Sequence, residues 1–390
     1  MPRNVRSMSG SFAARLTALA LAGLAPGLSG CGGGGSRHSP PAAPAPPGAP
    51  AGHGGPMPPA VPAAPGAPAT SPPFDPALDV VPFDPAKVRN WPGLPNFGTS
   101  CFINAVVKAL AAVAELDPLL GDRAGDLPET ARVRRQLRLT LNYIRSGAAP
   151  EAANGQDAHA RMQALLAALA GHPALAFFAQ SARHAGGVEL NFLARLMRVL
   201  GAPEAFNLRA FSKTLPPGGP GPVHYHGLPI TAGLTLSMDP VHAGYDPAAI
   251  DSVATVGDYW AWRCTQAAHW PGGGAEYLLP TQVPDVMLLS IVHFPPHKAL
   301  KFSERLTFPV YAVDLAGHTD TVAGTVSRRA AAAMLGTASH VWAVVRGDDG
   351  WYLNDDQVPS HRIPDHDLDE RITPHGTLVQ GLSAIFYGPM

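Results

Sequence analysis

Cys101 lies where a thiol could act as a nucleophile, between a polar turn and an amphipathic segment. The apolar residues that follow it recur at helical spacing, so the sequence predicts a helix that begins near Cys101. Unpaired N–H groups and the positive end of the helix dipole favour a thiolate at such a position. The glycines and proline of the preceding GLPNFGTS predict a bent backbone, in which Asn96 could bring its side-chain amide near the sulfur.

A thiol nucleophile needs a base, and the base needs a group that orients it. The segment SHVWAVVRGDDGWYLNDDQV, residues 339–358, places two apolar, β-branched or aromatic runs on either side of GDDG, and this pattern predicts a hairpin. Such a hairpin would bring His340 near Asn354 or Asp355, and either side chain could accept the proton of one imidazole nitrogen.

The other cysteine of the folded part is Cys264, in WAWRCTQAAHW. In an oxidising compartment it could pair with Cys101 as a disulfide, and cysteine spacing leaves that alternative open.

Two closely spaced histidine pairs resemble parts of a metal site, but no cysteine or carboxylate accompanies them at a familiar ligand spacing. They are His224 and His226 in VHYHG, and His293 and His297 in VHFPPHK. The sequence therefore predicts neither a metal site nor a cofactor.

Residues 1–31 have the layout of a bacterial secretory signal, with early arginines, the apolar run LTALALAGLAPGL and a final LSGC. Those last four residues resemble a lipoprotein box, and cleavage there would leave Cys31 as a lipidated N-terminus. An ordinary signal with a chance cysteine is the alternative. Residues 32–79, rich in Gly, Pro and Ala, predict a disordered linker.

The remaining residues, 80–390, carry the apolar periodicity of a folded domain large enough for one extensive core. The chain has 390 residues and a net charge of -1, with no basic stretch that would favour nucleic acid.

Four segments resemble, in the correct order, the sequence boxes of the ubiquitin-specific proteases, papain-like cysteine peptidases that remove ubiquitin. GLPNFGTSCFINAVVKAL, residues 93–110, resembles the cysteine box, and GQDAHARMQALLAAL, residues 155–169, the Gln-Asp-Ala box. Residues 283–315 resemble the palm strands, and the predicted hairpin at 339–358 resembles the histidine box.

The resemblance implies a role for each of five residues. Cys101 would be the nucleophile and His340 the general base. Asn354 aligns with the third position of the triad and would orient His340, with Asp355 as a supporting acid. Asn96 would supply the oxyanion-hole amide.

The resemblance also implies an α+β papain-like fold with a helical thumb lobe and an antiparallel β palm. Because the chain has no CxxC pair and a short interval before residue 283, we expect the fingers to be reduced or absent. Gln156 and Asp157 would contact substrate. The sequence departs from the family at Ser339, where glycine is usual, and at Ala160 and Arg161, which replace an acidic–aromatic pair.

The implied function is thiol-dependent hydrolysis of the bond after the C-terminal glycine of ubiquitin by a monomeric enzyme. Bacteria with lipoprotein boxes ordinarily have no ubiquitin, so the implied substrate is a host protein and the chain an effector. It would be exported as an outer-membrane lipoprotein or secreted into the host, with membrane contact only through a lipid anchor. A papain-like cell-wall peptidase is one alternative, although its usual Asp-Cys-Ser-Gly context is missing at Cys101. A surface domain that binds ubiquitin or a host protein without catalysis is the other.

Overall fold

The computed structural model describes twelve ranges of the chain: 79–147, 158–184, 189–215, 223–229, 234–237, 254–265, 268–269, 275–292, 303–336, 340–356, 358–364 and 381–390. The predicted signal, nearly all of the predicted linker and Cys31 lie outside the described residues, as do Gln156 and Asp157.

Helices form most of the N-terminal half of the described chain. They are α1 (Cys101–Ala111), α2 (Pro128–Ser146), α3 (Ala158–Ala170), α4 (Ala176–His184), α5 (Glu189–Val199) and α6 (Val256–Thr265), with 3-10 helices at Pro85–Asn90 and Ala114–Leu120. None of the described helices is both long enough and apolar enough to cross a membrane.

Strands form most of the C-terminal half. They are β1 (Arg209–Leu215), β2 (His224–Pro229), β3 (Leu234–Ser237), β4 (Ala268–His269), β5 (Ala275–Gln282), β6 (Met287–Val292), β7 (Arg305–Asp314), β8 (Thr319–Gly336), β9 (Val341–Arg346), β10 (Trp351–Asn354), β11 (His361–Ile363) and β12 (Gly381–Gly388).

The strands build a large sheet and a small one. In the large sheet the order is β11-β10-β9-β8-β12-β6-β3, with β7 paired to β8. Its described pairings are antiparallel except for the β3–β6 pair. The small sheet has the order β2-β1-β5-β4 and is antiparallel. The sequence predicts reduced or absent fingers before residue 283, where the four strands of this small sheet lie, and that expectation stays a prediction.

Alternating residues of the large sheet pack into two separate hydrophobic cores. On one face Leu288, Met334, Tyr352 and Phe386 join the core formed by helices α1 to α5. On the opposite face the neighbouring residues of the same strands, including Met287, Leu335, Trp351 and Tyr387, pack with Trp260 of α6. This period of two is what a sheet covered on both faces requires. The predicted combination of helices with a mainly antiparallel sheet is therefore confirmed at this coarse level.

Candidate active site

The nucleophile candidate begins a helix, as the sequence predicts. The first residue of α1 is Cys101, whose free thiol belongs to a residue only 6% exposed. Burial raises the pKa of the thiol and outweighs backbone hydrogen bonds from Val341, Phe102 and Cys101 itself, which lower it, while Asp356 acts in the same direction as burial. The pKa of Cys101 therefore lies above its ordinary value, so burial overrides the thiolate stabilisation expected from the helix start alone.

The loop before α1 is braced by the hydroxyl of Ser100. This hydroxyl donates to Asn96 Oδ1 at 2.9 Å and accepts from Phe97 N at 2.9 Å. Gly98, at the crest of the loop, has a φ of 71°, a left-handed conformation that suits glycine. With its oxygen held by Ser100, the Asn96 amide presents its NH2 group as the donor end, which is the end an oxyanion would need.

The base candidate precedes strand β9 and contacts a carboxylate. His340 Nε2 lies 2.6 Å from Asp355 Oδ1, and the two side chains are 32% and 31% exposed. The same carboxylate oxygen accepts the N–H of Asp356 at 2.7 Å, which fixes its orientation. Val341 directly follows His340 in the chain, and its backbone forms a hydrogen bond with Cys101, so the two candidate residues come from neighbouring segments.

The hydrogen bond that the structure gives to the His340 ring is with Asp355, whereas the sequence predicted Asn354 as the orienting residue. Asn354 is 1% exposed and donates from Nδ2 to the carbonyl of Tyr352 at 3.2 Å. In the β9–β10 ladder Asn354 pairs with Ala343, three residues beyond His340, a separation of about 10 Å along a strand. Strand β10 ends at Asn354, and the chain then turns so that Asp355 approaches the imidazole instead.

Three donors from the nucleophile region hold the segment that carries Asp355. Asn104 Nδ2 donates to Asp356 Oδ1 at 2.9 Å, and Leu94 N donates to the Asp356 carbonyl at 2.5 Å. Lys108 Nζ donates to the carbonyl oxygens of Asp355 at 2.6 Å and Asp356 at 3.3 Å. Burial raises the pKa of Asp356, although the Asn104 amide opposes this.

The sequence pattern assigns no role to Lys108. A signal was present, because a single lysine interrupts the apolar CFINAVVKALA and every residue of that helix is buried. Its hydrogen-bond partners are backbone carbonyls, however, and a sequence pattern does not predict them because every residue has one.

A cleft opens beside the bent loop. It has a volume of about 460 Å3 and is lined by Phe97, Gly98, Gln163 and Leu166, so it lies between the loop and helix α3. The ring of His159, on the same helix, lies 4.6 Å from that of Phe97 between centroids, and its Nε2 is 3.0 Å from Gln163 Nε2.

The remaining predicted residues are distributed as follows. Cys264 lies in α6, and Cys101 is a free thiol, so the structure contains no Cys101 disulfide. His224 lies in β2, while His293 and His297 lie outside the described residues. The roles assigned to Gln156, Asp157 and Cys31 stay predictions.

Comparison with solved structures shows the fold. The SAGA Ubp8/Sgf11/Sus1/Sgf73 DUB module bound to ubiquitin aldehyde matches with a TM-score of 0.51 and 11% identity, over 78% of this chain and 70% of that chain. The module with a substituted Ubp8, bound to monoubiquitin, matches with a TM-score of 0.49, 13% identity and the same coverages. The module in a third structure has a TM-score of 0.47, 11% identity and coverages of 78% and 68%.

No family model matches the chain, and no curated protein matches it in sequence. At 11% identity the first of these structural matches shows that the fold is similar to one found in a deubiquitinase module.

Proposed function

We propose that this protein is a cysteine-dependent deubiquitinase that hydrolyses the bond after the C-terminal glycine of ubiquitin. One observation carries the proposal. Cys101, at the start of α1, is contacted by the backbone of Val341, and the adjacent His340 is in turn held by Asp355. This arrangement supports the assignment of Cys101 as nucleophile, His340 as base and Asp355 as orienting group. The similarity of the fold to a chain of a deubiquitinase module supports the substrate class.

In the proposed mechanism Cys101 begins as a neutral thiol, because burial raises its pKa. His340 accepts the thiol proton as the sulfur attacks the carbonyl of the terminal glycine. Nε2 contacts Asp355 at 2.6 Å, so in this mechanism the proton exchange is assigned to Nδ1, which lies 3.7 Å from Asp356 Oδ2. The carboxylate of Asp355 stabilises the imidazolium that forms and fixes the ring orientation.

The remaining steps follow from the same groups. Asn96 donates its amide N–H to the oxyanion of the tetrahedral intermediate, a contribution that is worth about 3 to 4 kcal/mol where one such donor has been removed from a protease. His340 then gives its proton to the leaving amine. Water hydrolyses the thioester that remains on Cys101 and releases ubiquitin.

We propose that the substrate is host ubiquitin and that Gln156 and Asp157 contact it. The signal-like residues 1–31 support export, either as an outer-membrane lipoprotein attached through Cys31 or as a secreted effector. Residues 32–79 would then act as a linker and residues 80–390 as a monomeric catalytic domain.

The direct test is hydrolysis of ubiquitin that carries a fluorophore amide at its C-terminus. The chain should release the fluorophore, and Cys101→Ala and His340→Ala should each abolish release, while Cys264→Ala serves as the matched thiol control. Binding of ubiquitin without release would favour a non-catalytic surface domain. Cleavage of cell-wall peptides with no action on ubiquitin would favour the alternative peptidase.

A further inference from the structure

Lys108 is a buried cation on the helix that begins with the nucleophile candidate. Lys108 is only 1% exposed and lies seven positions after Cys101 in α1. Burying an ammonium group is unfavourable unless hydrogen bonds compensate it. Here the compensation comes from the carbonyl oxygens of Asp355 and Asp356, at 2.6 and 3.3 Å from Nζ.

These two carbonyls belong to the segment that carries the carboxylate on His340. Asn104, one helical turn before Lys108, holds the side chain of Asp356 at 2.9 Å. Lys108 is the donor from α1 that reaches the Asp355 carbonyl. The position of the Asp355 carboxylate is therefore set from the same helix whose first residue is Cys101.

The charges around Lys108 act in opposite directions. Burial lowers the pKa of Lys108 from 10.5 to about 8, while the carboxylates of Asp356 and Asp355 both act to raise it. Those two are the charged groups that act on Lys108 among the described residues. Near neutral pH the ammonium form is therefore present, and it becomes a neutral amine as the pH rises through about 8.

We propose that Lys108 is a positioning residue, whose charged ammonium holds the segment of Asp355 and Asp356 against α1 so that His340 stays aligned with Cys101. The inference rests on the proposed function, which makes Cys101 and His340 the reacting pair. A neutral amine makes weaker hydrogen bonds to the carbonyls than an ammonium group does. The contribution of the ammonium group to the alignment of His340, as distinct from its effect on global stability, is therefore present below about pH 8 and declines above it.

The test measures the alkylation rate of Cys101 by iodoacetamide between pH 6 and 10, with the Cys101 peptide quantified by mass spectrometry. Wild type, Lys108→Met and Lys108→Gln are compared. At pH 7 we expect both variants to react about tenfold to a hundredfold more slowly than wild type, because the imidazole of His340 is no longer aligned with the thiol of Cys101. Above pH 9 the Gln variant, an uncharged donor, should match wild type.

A matched control separates positioning from general destabilisation. Val133→Ala removes fully buried methyl groups from α2, away from the Asp355 segment, and should lower the unfolding temperature without a pH-dependent change in alkylation. A ratio of wild-type to Lys108→Met rates that is constant across pH, or an equal loss in Val133→Ala, would overturn the inference. So would wild-type reactivity in Lys108→Met at pH 7.

The experiment uses no ubiquitin, so its outcome is separate from that of the proposed function. If the chain hydrolyses ubiquitin but the ratio of wild-type to Lys108→Met alkylation rates does not change with pH, only the role of Lys108 is refuted. If that ratio changes with pH as expected but ubiquitin is not hydrolysed, only the proposed substrate is refuted. If Lys108→Met does not fold, Lys108→Gln alone is compared with wild type. Slower alkylation of Cys101 at pH 7 supports the inference, and wild-type reactivity contradicts it.

Discussion

Replacing Asp355 should impair catalysis far more than replacing Asn354, although the two residues are adjacent. Asp355→Ala removes the carboxylate that lies 2.6 Å from His340 Nε2, while Asn354→Ala removes an amide whose donor contacts only the carbonyl of Tyr352 among the described residues. The imidazole loses its orienting group in the first variant and keeps it in the second.

The expected magnitude follows from the contact and its exposure. A hydrogen bond to a charged group contributes about 1.5 to 3 kcal/mol, or roughly tenfold to 150-fold in rate. Because His340 and Asp355 are 32% and 31% exposed, solvent screening places the effect in the lower part of that range. We expect Asp355→Ala to lower kcat/KM by about tenfold to thirtyfold, and Asn354→Ala to leave it within about threefold.

The assay is steady-state hydrolysis of ubiquitin with a C-terminal fluorophore, combined with urea unfolding of each variant. Asp355→Asn is the matched variant, since it keeps the size and an acceptor oxygen but loses the charge, and it should be intermediate. Asn354→Ala should lower the free energy of unfolding by about 1 kcal/mol, because a buried side chain is truncated. A larger loss of kcat/KM in Asn354→Ala than in Asp355→Ala would refute the assignment of Asp355.

Three further predictions concern the thiols, the domain boundary and the buried lysine. Cys101→Ala should abolish hydrolysis, while Cys264→Ala should keep it within about twofold, because Cys101 is the proposed nucleophile; equal losses in both would contradict this. A chain that begins at Val80 should retain full activity on ubiquitin in solution, and a need for the preceding residues would show that the boundary is misplaced. Between about pH 8 and 10.5, Lys108 is protonated in the unfolded chain but largely neutral in the folded one, so the free energy of unfolding rises with pH. Over that window wild type should gain roughly 3 kcal/mol in the free energy of unfolding relative to Lys108→Met. Urea unfolding at pH 7.5 and 10.5 measures this, and an unchanged difference between the two proteins would contradict the lowered pKa.

The elements around the site could be predicted because each rests on a local pattern. Apolar residues at helical spacing indicated α1 from its first residue, and two β-branched runs around GDDG indicated the β9–β10 hairpin. Both are confirmed. The partner of His340 required more than these patterns. It depends on a register that pairs Asn354 with Ala343 and on the exact residue at which β10 ends.

Other features of the site arise from contacts that a sequence does not encode locally. The raised pKa of Cys101 reflects burial by distant parts of the chain, whereas the helix start alone favoured a thiolate. The role of Lys108 depends on two carbonyls almost 250 residues away. The sequence shows a lysine within an apolar helix, but it does not show the carbonyl groups that this lysine contacts.

The central claim is that Cys101 is a nucleophile directed at the C-terminus of ubiquitin. The most direct measurement incubates the chain with ubiquitin that carries a C-terminal electrophile and maps the covalent adduct by mass spectrometry. The account predicts a single adduct on Cys101, with Cys264 unmodified and labelling lost when the chain is unfolded beforehand. Absence of an adduct on Cys101, while the same chain reacts with a small alkylating reagent at that thiol, would contradict it.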